Sequence, residues 1–266
     1  RLRGLRRRLA LAGLHAAHQR DDRGEFESLR EYVRGDDPRT IDWKATARRS
    51  TTIVRRYESE RGQNIVLAID AGRLMTERID GRERLDHALP AALLLAETAL
   101  AGGDRVGLLV FSDRVEHDLP PGRVRLAALA DAMADVQARM VEPDYPTAFA
   151  HLSTRLRRRS LIVLFSDIID PRASAALIAH AGRAAARHLP LVVALRNPEL
   201  DAAAAAPAET EADVYRRIAA EELLQERALA LAEMRRAGVL VADTEPRAAV
   251  TTVLNRYLEV KRKGML

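Results

Sequence analysis

Two aspartates stand directly behind short apolar runs: Asp70 closes NIVLAID and Asp167 follows LIVLFS. Carboxylates at the ends of neighbouring strands can together hold a hard cation such as Mg2+, which takes one or two protein carboxylates and keeps several waters. The same residue type also caps helices and turns, accepting backbone N–H bonds with no ligand involved. Ser112 and Asp113 behind LLVF, Ser166 behind LIVLF and Asn197 behind VVALR complete the polar residues in equivalent places.

Other chemistries lack their residues. No GxxxxGK[ST] or GxGxxG follows an apolar run, so neither familiar phosphate cradle is encoded. No GxSxG elbow surrounds Ser112 or Ser166. An aspartyl-phosphate enzyme would want a second acid two residues beyond Asp70, and that position is Gly72. The histidines His15, His18, His87, His117, His151, His180 and His188 show no metal-ligand spacing and read as helix-surface or helix-end residues. With no cysteine in the chain, disulfides, thiolate zinc sites and cysteine nucleophiles are excluded.

The elements that must position the strand-end residues alternate. NIVLAID, RVGLLVF, SLIVLFSD, LPLVVAL and VLVAD read as short buried strands, with a hairpin partner for the second around RVEHDL. Helical stretches separate them: RLDHALPAALLLAETALAGG, ended by Gly102 and Gly103, then VRLAALADAMADVQARM, TAFAHLSTRL, SAALIAHAGRAAARH, a long one over 210–238 and PRAAVTTVLNRYLEV. Strands alternating with helices predict an α/β fold, a doubly wound and mostly parallel sheet covered on both faces. Ligands of such sheets bind outside the carboxyl ends of the strands, where strand order reverses. That rule directs attention to Asp70 and Asp167.

Before residue 64 the pattern differs. Residues 1–23 are basic and weakly amphipathic, a predicted arm or juxtamembrane helix. Residues 24–63 carry two extended pieces, EFESLREYV and TTIVRRYESE, around the turn RGDDPR. This segment is too short to fold alone and is expected to pack, as an N-terminal extended arm, on the α/β domain of residues 64–266. The 266 residues, 47% hydrophobic, suffice for a sizeable core, and the net charge of +5 is a small excess within a densely charged surface. The arginines Arg1, Arg3, Arg6, Arg7 and Arg8 offer a contact for nucleic acid or an anionic membrane. Nucleic acid is not the partner this balance favours, because Arg-for-Lys usage gives the same pI. No apolar run approaches the ~20 residues of a membrane span, and the basic start is expected to follow an upstream membrane segment.

The stretch DDRGEFESLREYVRGDDPRTIDWKATARRSTTIVRRYESERGQNIVLAID resembles the signature of a bacterial family called domain of unknown function fifty-eight. Its signature residues fall on Arg30, Tyr32, Gly35, Asp36, Asp37, Arg39, Asp42, Trp43, Lys44 and Arg48. The resemblance implies a von Willebrand factor A-like domain, a Rossmann-like three-layer sandwich, after the signature. Genes of that family commonly neighbour MoxR-type AAA+ ATPases. It therefore implies a non-enzymatic adaptor of such an ATPase in assembly or maturation of other proteins, including envelope clients. Its place would be the cytoplasm or the inner face of the cell membrane.

Von Willebrand A-like domains often hold Mg2+ or Mn2+ through D-x-S-x-S, a threonine and a further aspartate. Here Asp70 and Asp167 are kept, the serine positions are Gly72 and Leu74, and the threonine position is Pro143. Thr76 and Thr147 are nearby hydroxyls that do not stand at the matching positions. With the hydroxyls gone, a degenerate site is expected, with no cofactor or at most weakly held Mg2+. The alternatives are a nucleic-acid or membrane binder through residues 1–23, and a metal-dependent hydrolase at Asp70 and Asp167. Trp43 is expected as a buried anchor, with Asp37 and Asp42 pairing Arg39 or Arg48.

Overall fold

The computed structural model describes residues 26–32, 41–49, 51–57, 62–122, 124–172 and 174–266. The chain forms two compact units, residues 1–62 and 63–266. Gly35, Asp36, Asp37, Arg39 and the basic residues 1–23 lie outside the described residues.

In the first unit, strands β1 (Phe26–Glu31) and β2 (Ile53–Tyr57) pair antiparallel, matching the two predicted extended pieces, and Arg30 stands opposite Val54. Between them lies a helix that the extended reading lacks, α1 (Trp43–Arg49). Asp42 starts it: its Oδ1 accepts the Ala45 N–H at 3.0 Å, filling one of the donors a helix start leaves open. Two bonds dock α1 on β2, Asp42 N–H to Ile53 O at 2.8 Å and Ile53 N–H to Thr46 Oγ1 at 2.9 Å. The burial expected of Trp43 is corrected: its side chain is 71% exposed, because Thr46 and the backbone, not the indole, anchor this helix. Tyr32, Lys44 and Arg48 are also exposed, and Arg48 makes no ion pair among the described residues.

The second unit is a six-stranded sheet. Its strands are β3 (Asn64–Asp70), β6 (Arg105–Phe111), β7 (Val115–Gly122), β8 (Ser160–Ser166), β9 (Leu189–Leu195) and β10 (Leu240–Thr244). Their order is β10-β9-β8-β3-β6-β7, all parallel except the edge strand β7. A small hairpin, β4 (Arg78–Ile79) with β5 (Arg82–Glu83), precedes the first long helix.

Among the described residues seven α-helices follow: α2 (Arg84–Ala101), α3 (Leu126–Ala134), α4 (Tyr145–Arg155), α5 (Ala175–Ala185), α6 (Pro198–Ala205), α7 (Glu211–Arg236) and α8 (Ala249–Arg262). α2 ends where Gly103 adopts φ +84°, letting the Gly103 and Asp104 N–H groups close on Leu100 O and Ala99 O. α2 buries Leu85, Ala88, Ala92, Leu95 and Ala99, a stripe at helical spacing, and packs beside α8. On the other sheet face, Val66, Ala68, Ile162 and Leu164 form a core with Phe149 of α4, Leu177 of α5 and Met234 of α7.

The predicted helix over 124–140 stops at Ala134. Beyond it the chain bonds to the loop after β3, Arg139 N–H to Ala71 O and Arg73 N–H to Val141 O, both at 2.8 Å. Tertiary bonds there replace helical ones. α6, started by Asn197 Oδ1 accepting the Glu199 N–H at 3.0 Å, is not among the predicted elements. Among the described residues no helix is long and apolar enough to cross a membrane.

Candidate functional site

Strand order reverses between β3 and β8, since the chain leaves β3 for β6 on one side and returns to β8 on the other. In register, Ile69 stands opposite Phe165, so Asp70 and Ser166 meet at the strand ends. Asp70 is 1% exposed. Its Oδ1 accepts the Gly72 N–H at 2.7 Å, while Oδ2 accepts from Ser166 Oγ at 2.7 Å and Tyr145 Oη at 2.8 Å.

Tyr145 is delivered by α4. Asp144 caps that helix, accepting Thr147 N–H at 2.9 Å and Thr147 Oγ1 at 2.6 Å, so Thr147 is spent on the cap. The Tyr145 ring then packs edge-on to Phe111, with centroids 5.8 Å apart, and its hydroxyl reaches between β3 and β8. Burial raises the Asp70 pKa, against the lowering effect of bonds from Ser166, Gly72 and Tyr145. Burial, then the charge of Asp70, pushes the Tyr145 phenol well above its usual range.

Asp167, 4% exposed, lies between two buried arginines. Arg84 Nη2 is 2.9 Å from Asp167 Oδ2, and Arg227 Nη1 is 2.7 Å from Oδ1. Arg84 also donates to Leu74 O at 2.6 Å and Glu77 Oε2 at 2.7 Å; Arg227 donates to Ile168 O and to Asp243 Oδ1 at 2.9 Å. Glu77 in turn accepts from Asn197 Nδ2 at 2.8 Å. The result is a continuous chain, Asn197–Glu77–Arg84–Asp167–Arg227–Asp243, that ties the ends of β8, β9 and β10 to the segment after β3. Burial pulls the Arg227 guanidinium down, but the charges of Asp167 and Asp243 outweigh it and hold its pKa above the ordinary value.

The residues at the expected metal position do not fit a divalent cation. Both oxygens of Asp70 already accept N–H or O–H bonds, and both oxygens of Asp167 face guanidinium groups. A Cβ on Gly72 would lie 2.9 Å from Pro143 Cδ, 3.0 Å from Asp70 Oδ1 and 3.1 Å from Val141 O, so a serine there has no space. Leu74 contributes only its carbonyl, and that is taken by Arg84. Thr76 donates to Arg73 O at 2.7 Å. Among the described residues no three His, Asp or Glu side chains converge as metal ligands.

Of the strand-end residues expected from the sequence, Asp70 bonds Ser166, and Asp167 is linked through Arg84 and Glu77 to Asn197. Of the degenerate metal set, Gly72 bonds Asp70 and lies against Pro143, while Leu74 offers its carbonyl to Arg84. The sequence reading missed Tyr145, Arg84 and Arg227. Ser112, buried, and Asp113, exposed, form a neighbouring cluster at the end of β6, where Arg139 Nη1 lies 2.8 Å from Asp113 Oδ1 and Ser112 Oγ donates to Glu116 at 2.6 Å, and Ser112 O accepts the Asp144 N–H at 2.8 Å.

The sequence matches the family model described as "Protein of unknown function DUF58" over residues 28–203, more than half of the chain. The chain belongs to the DUF58 family. Similar to this DUF58 chain are the uncharacterized proteins Mb1516 of Mycobacterium bovis and Rv1480 of Mycobacterium tuberculosis, each 28% identical over 151 residues. Those alignments span 53% of the chain but only 46% of each relative. The conserved hypothetical protein BatB from Bacteroides thetaiotaomicron superposes with a TM-score of 0.52 at 12% identity, covering 76% of this chain and 100% of its own. An aerotolerance-related membrane protein from Bacteroides fragilis gives 0.50 at 13% identity, over 76% of this chain and 100% of its own. At such identities the likeness concerns the fold, which is von Willebrand factor A-like, as the resemblance implied.

Proposed function

We propose that this DUF58 chain is a non-catalytic protein-interaction module, an adaptor of a MoxR-type AAA+ ATPase in the assembly or maturation of other proteins, and that it works without a bound metal. The observation that carries the metal-free part is the clasp of Asp167 by Arg84 and Arg227. Metal-bridged recognition needs a cation with an open place for the partner's carboxylate. Here the positive charge beside Asp167 is built in, as two guanidinium groups whose Nη donors hold Asp167 and its neighbours.

The same arrangement withdraws support from a hydrolase at Asp70 and Asp167. A metal ligand or general base needs an oxygen within reach of substrate, and these carboxylates are 1% and 4% exposed with both oxygens engaged. The ATPase partner rests on the family resemblance, and a cytoplasmic place follows from a partner that consumes ATP. Purified chain and the neighbouring MoxR-type ATPase should co-elute in at least one nucleotide state, and EDTA should leave association unchanged in the nucleotide-free arm. No co-elution with or without ATP would remove the ATPase reading; loss on EDTA in the nucleotide-free arm would remove the metal-free one.

A further inference from the structure

A second concave surface has a different character. Helices α4 and α5 lie side by side over β8, and a groove of about 270 Å3 runs between them. Its floor is apolar, with Phe149 and Leu152 of α4 and Ile162 of β8. It stays open because the residues along its walls are small: Ala150 and Ser153 on α4, Ala184 on α5. The volume lies below the roughly 300–1,000 Å3 typical of sites for drug-sized ligands, and it suits one or two side chains of a longer segment.

The rim is cationic. Arg183 and Arg187 are exposed and form no ion pair among the described residues. Arg158 and Arg159 are exposed beside His188, which closes one end of the groove at 6% exposure with no hydrogen-bond partner on Nδ1. His180 stacks on Phe149 with ring centroids 6.1 Å apart. The acid whose charge reaches His180 is Asp144, and both its oxygens are bonded to Thr147. An apolar trough with uncompensated arginines along its edge is complementary to a segment that alternates carboxylates with a bulky apolar side chain.

We propose that the α4–α5 groove docks a short acidic peptide segment of a partner protein, seating a leucine- or phenylalanine-class side chain on Phe149, Leu152 and Ile162 and its carboxylates against Arg183 and Arg187. α4, 11 residues long, extends ~16 Å at 1.5 Å per residue, the reach of about five extended residues. The inference rests on the interaction-module reading but not on the identity of the ATPase.

The test is fluorescence anisotropy on the full chain with a labelled probe peptide, Gly-Glu-Glu-Leu-Phe-Glu-Glu-Gly. Saturable binding should weaken by about tenfold or more when the glutamates become glutamines or when Arg183→Glu and Arg187→Glu are combined. Ser153→Trp, which fills the trough from an exposed position, should abolish it. Arg235→Glu with Arg236→Glu, on α7, should leave it unchanged. No saturable binding, or binding indifferent to Ser153→Trp and to the Arg183/Arg187 reversal, overturns the groove. Co-elution with the ATPase is scored separately, so failure of the groove and failure of the ATPase reading are distinguishable.

Discussion

Arg227 Nη1 sits 2.7 Å from Asp167 Oδ1, so a cation from helix α7 is paired with the strand-end acid that stands at a ligand position of the von Willebrand A-like metal pattern. That pairing changes what the edge can do. A metal can exchange ligands and admit a partner's carboxylate, whereas a guanidinium is fixed to its own helix and presents its donors in a rigid fork. Here those donors hold Asp167, Ile168 O and Asp243. On the proposed metal-free reading the edge serves as a structural joint and recognition uses other surfaces.

Removing one partner of that joint strands a buried charge. Arg227→Met should cost about 3–5 kcal/mol, the range for breaking a buried ion pair from one side. Asp167→Asn should cost less than the sum suggests when combined with Arg227→Met, because the two share one interaction. Urea unfolding of the two single variants and the double variant gives the coupling. Additive losses would mean that the pair does not act as a unit.

Gly72→Ser restores the residue type of a metal-binding loop but not its space. The added Cβ meets Pro143 Cδ at 2.9 Å, so the variant should lose about 1–3 kcal/mol, as overpacking does. Titration calorimetry with Mg2+ or Mn2+ should show no binding heat for wild type or variant. Heat in either would restore the metal reading.

Asp70 carries a pH signature. Its folded pKa is raised above the ordinary 3.8, chiefly by burial, so the folded state holds its proton more tightly than the unfolded one. The stability from that proton is present below 3.8 and is lost as pH rises through the folded pKa. Asp70→Asn cannot ionise; its oxygen can still accept the Gly72 N–H, while its NH2 donates to the Ser166 and Tyr145 hydroxyl oxygens, whose own hydrogens turn away. Its stability relative to wild type should therefore improve as pH rises from 3.8, read as the difference in urea midpoints. A difference that stays constant or moves the other way would show that Asp70 titrates normally.

The acids of this edge were legible because an aspartate behind an apolar run marks a strand end whatever its neighbours. The arginines were not, since a charged residue is read by default as solvated. Their spacing nevertheless carries a signal. Arg84 continues the buried series Ala88, Ala91, Leu95, and Arg227 falls between Ala220 and Met234 at seven-residue steps on the buried side of α7. A cation on an apolar stripe, paired with a strand-end acid, is the pattern to seek. Tyr145 was hidden differently: PDYPTAF aligns its loop with a threonine ligand, and only the cap at Asp144 shows that the helix starts early enough to send the phenol inward. α1 escaped because seven residues give little periodicity, and its start is set by Asp42, whose Oδ1 accepts the Ala45 N–H and whose carbonyl accepts the Thr46 N–H.

Trp43, the only tryptophan of the chain, is 71% exposed at the first position of α1. An exposed indole is a reporter and a ready contact, since it offers large apolar area with an N–H free to find a partner. Its emission should resemble that of a solvated indole and be strongly quenched by iodide in the isolated chain. If the signature segment meets the ATPase, addition of a tryptophan-free version of that ATPase should shift the emission to shorter wavelength and reduce quenching. Trp43→Ala should then weaken the complex by about 2 kcal/mol or more, the scale of a buried aromatic hot spot, while leaving the unfolding midpoint of the chain nearly unchanged. Iodide protection already present in the isolated chain would contradict the exposed position of the indole. An unaltered spectrum in the co-eluting complex would move the contact away from α1.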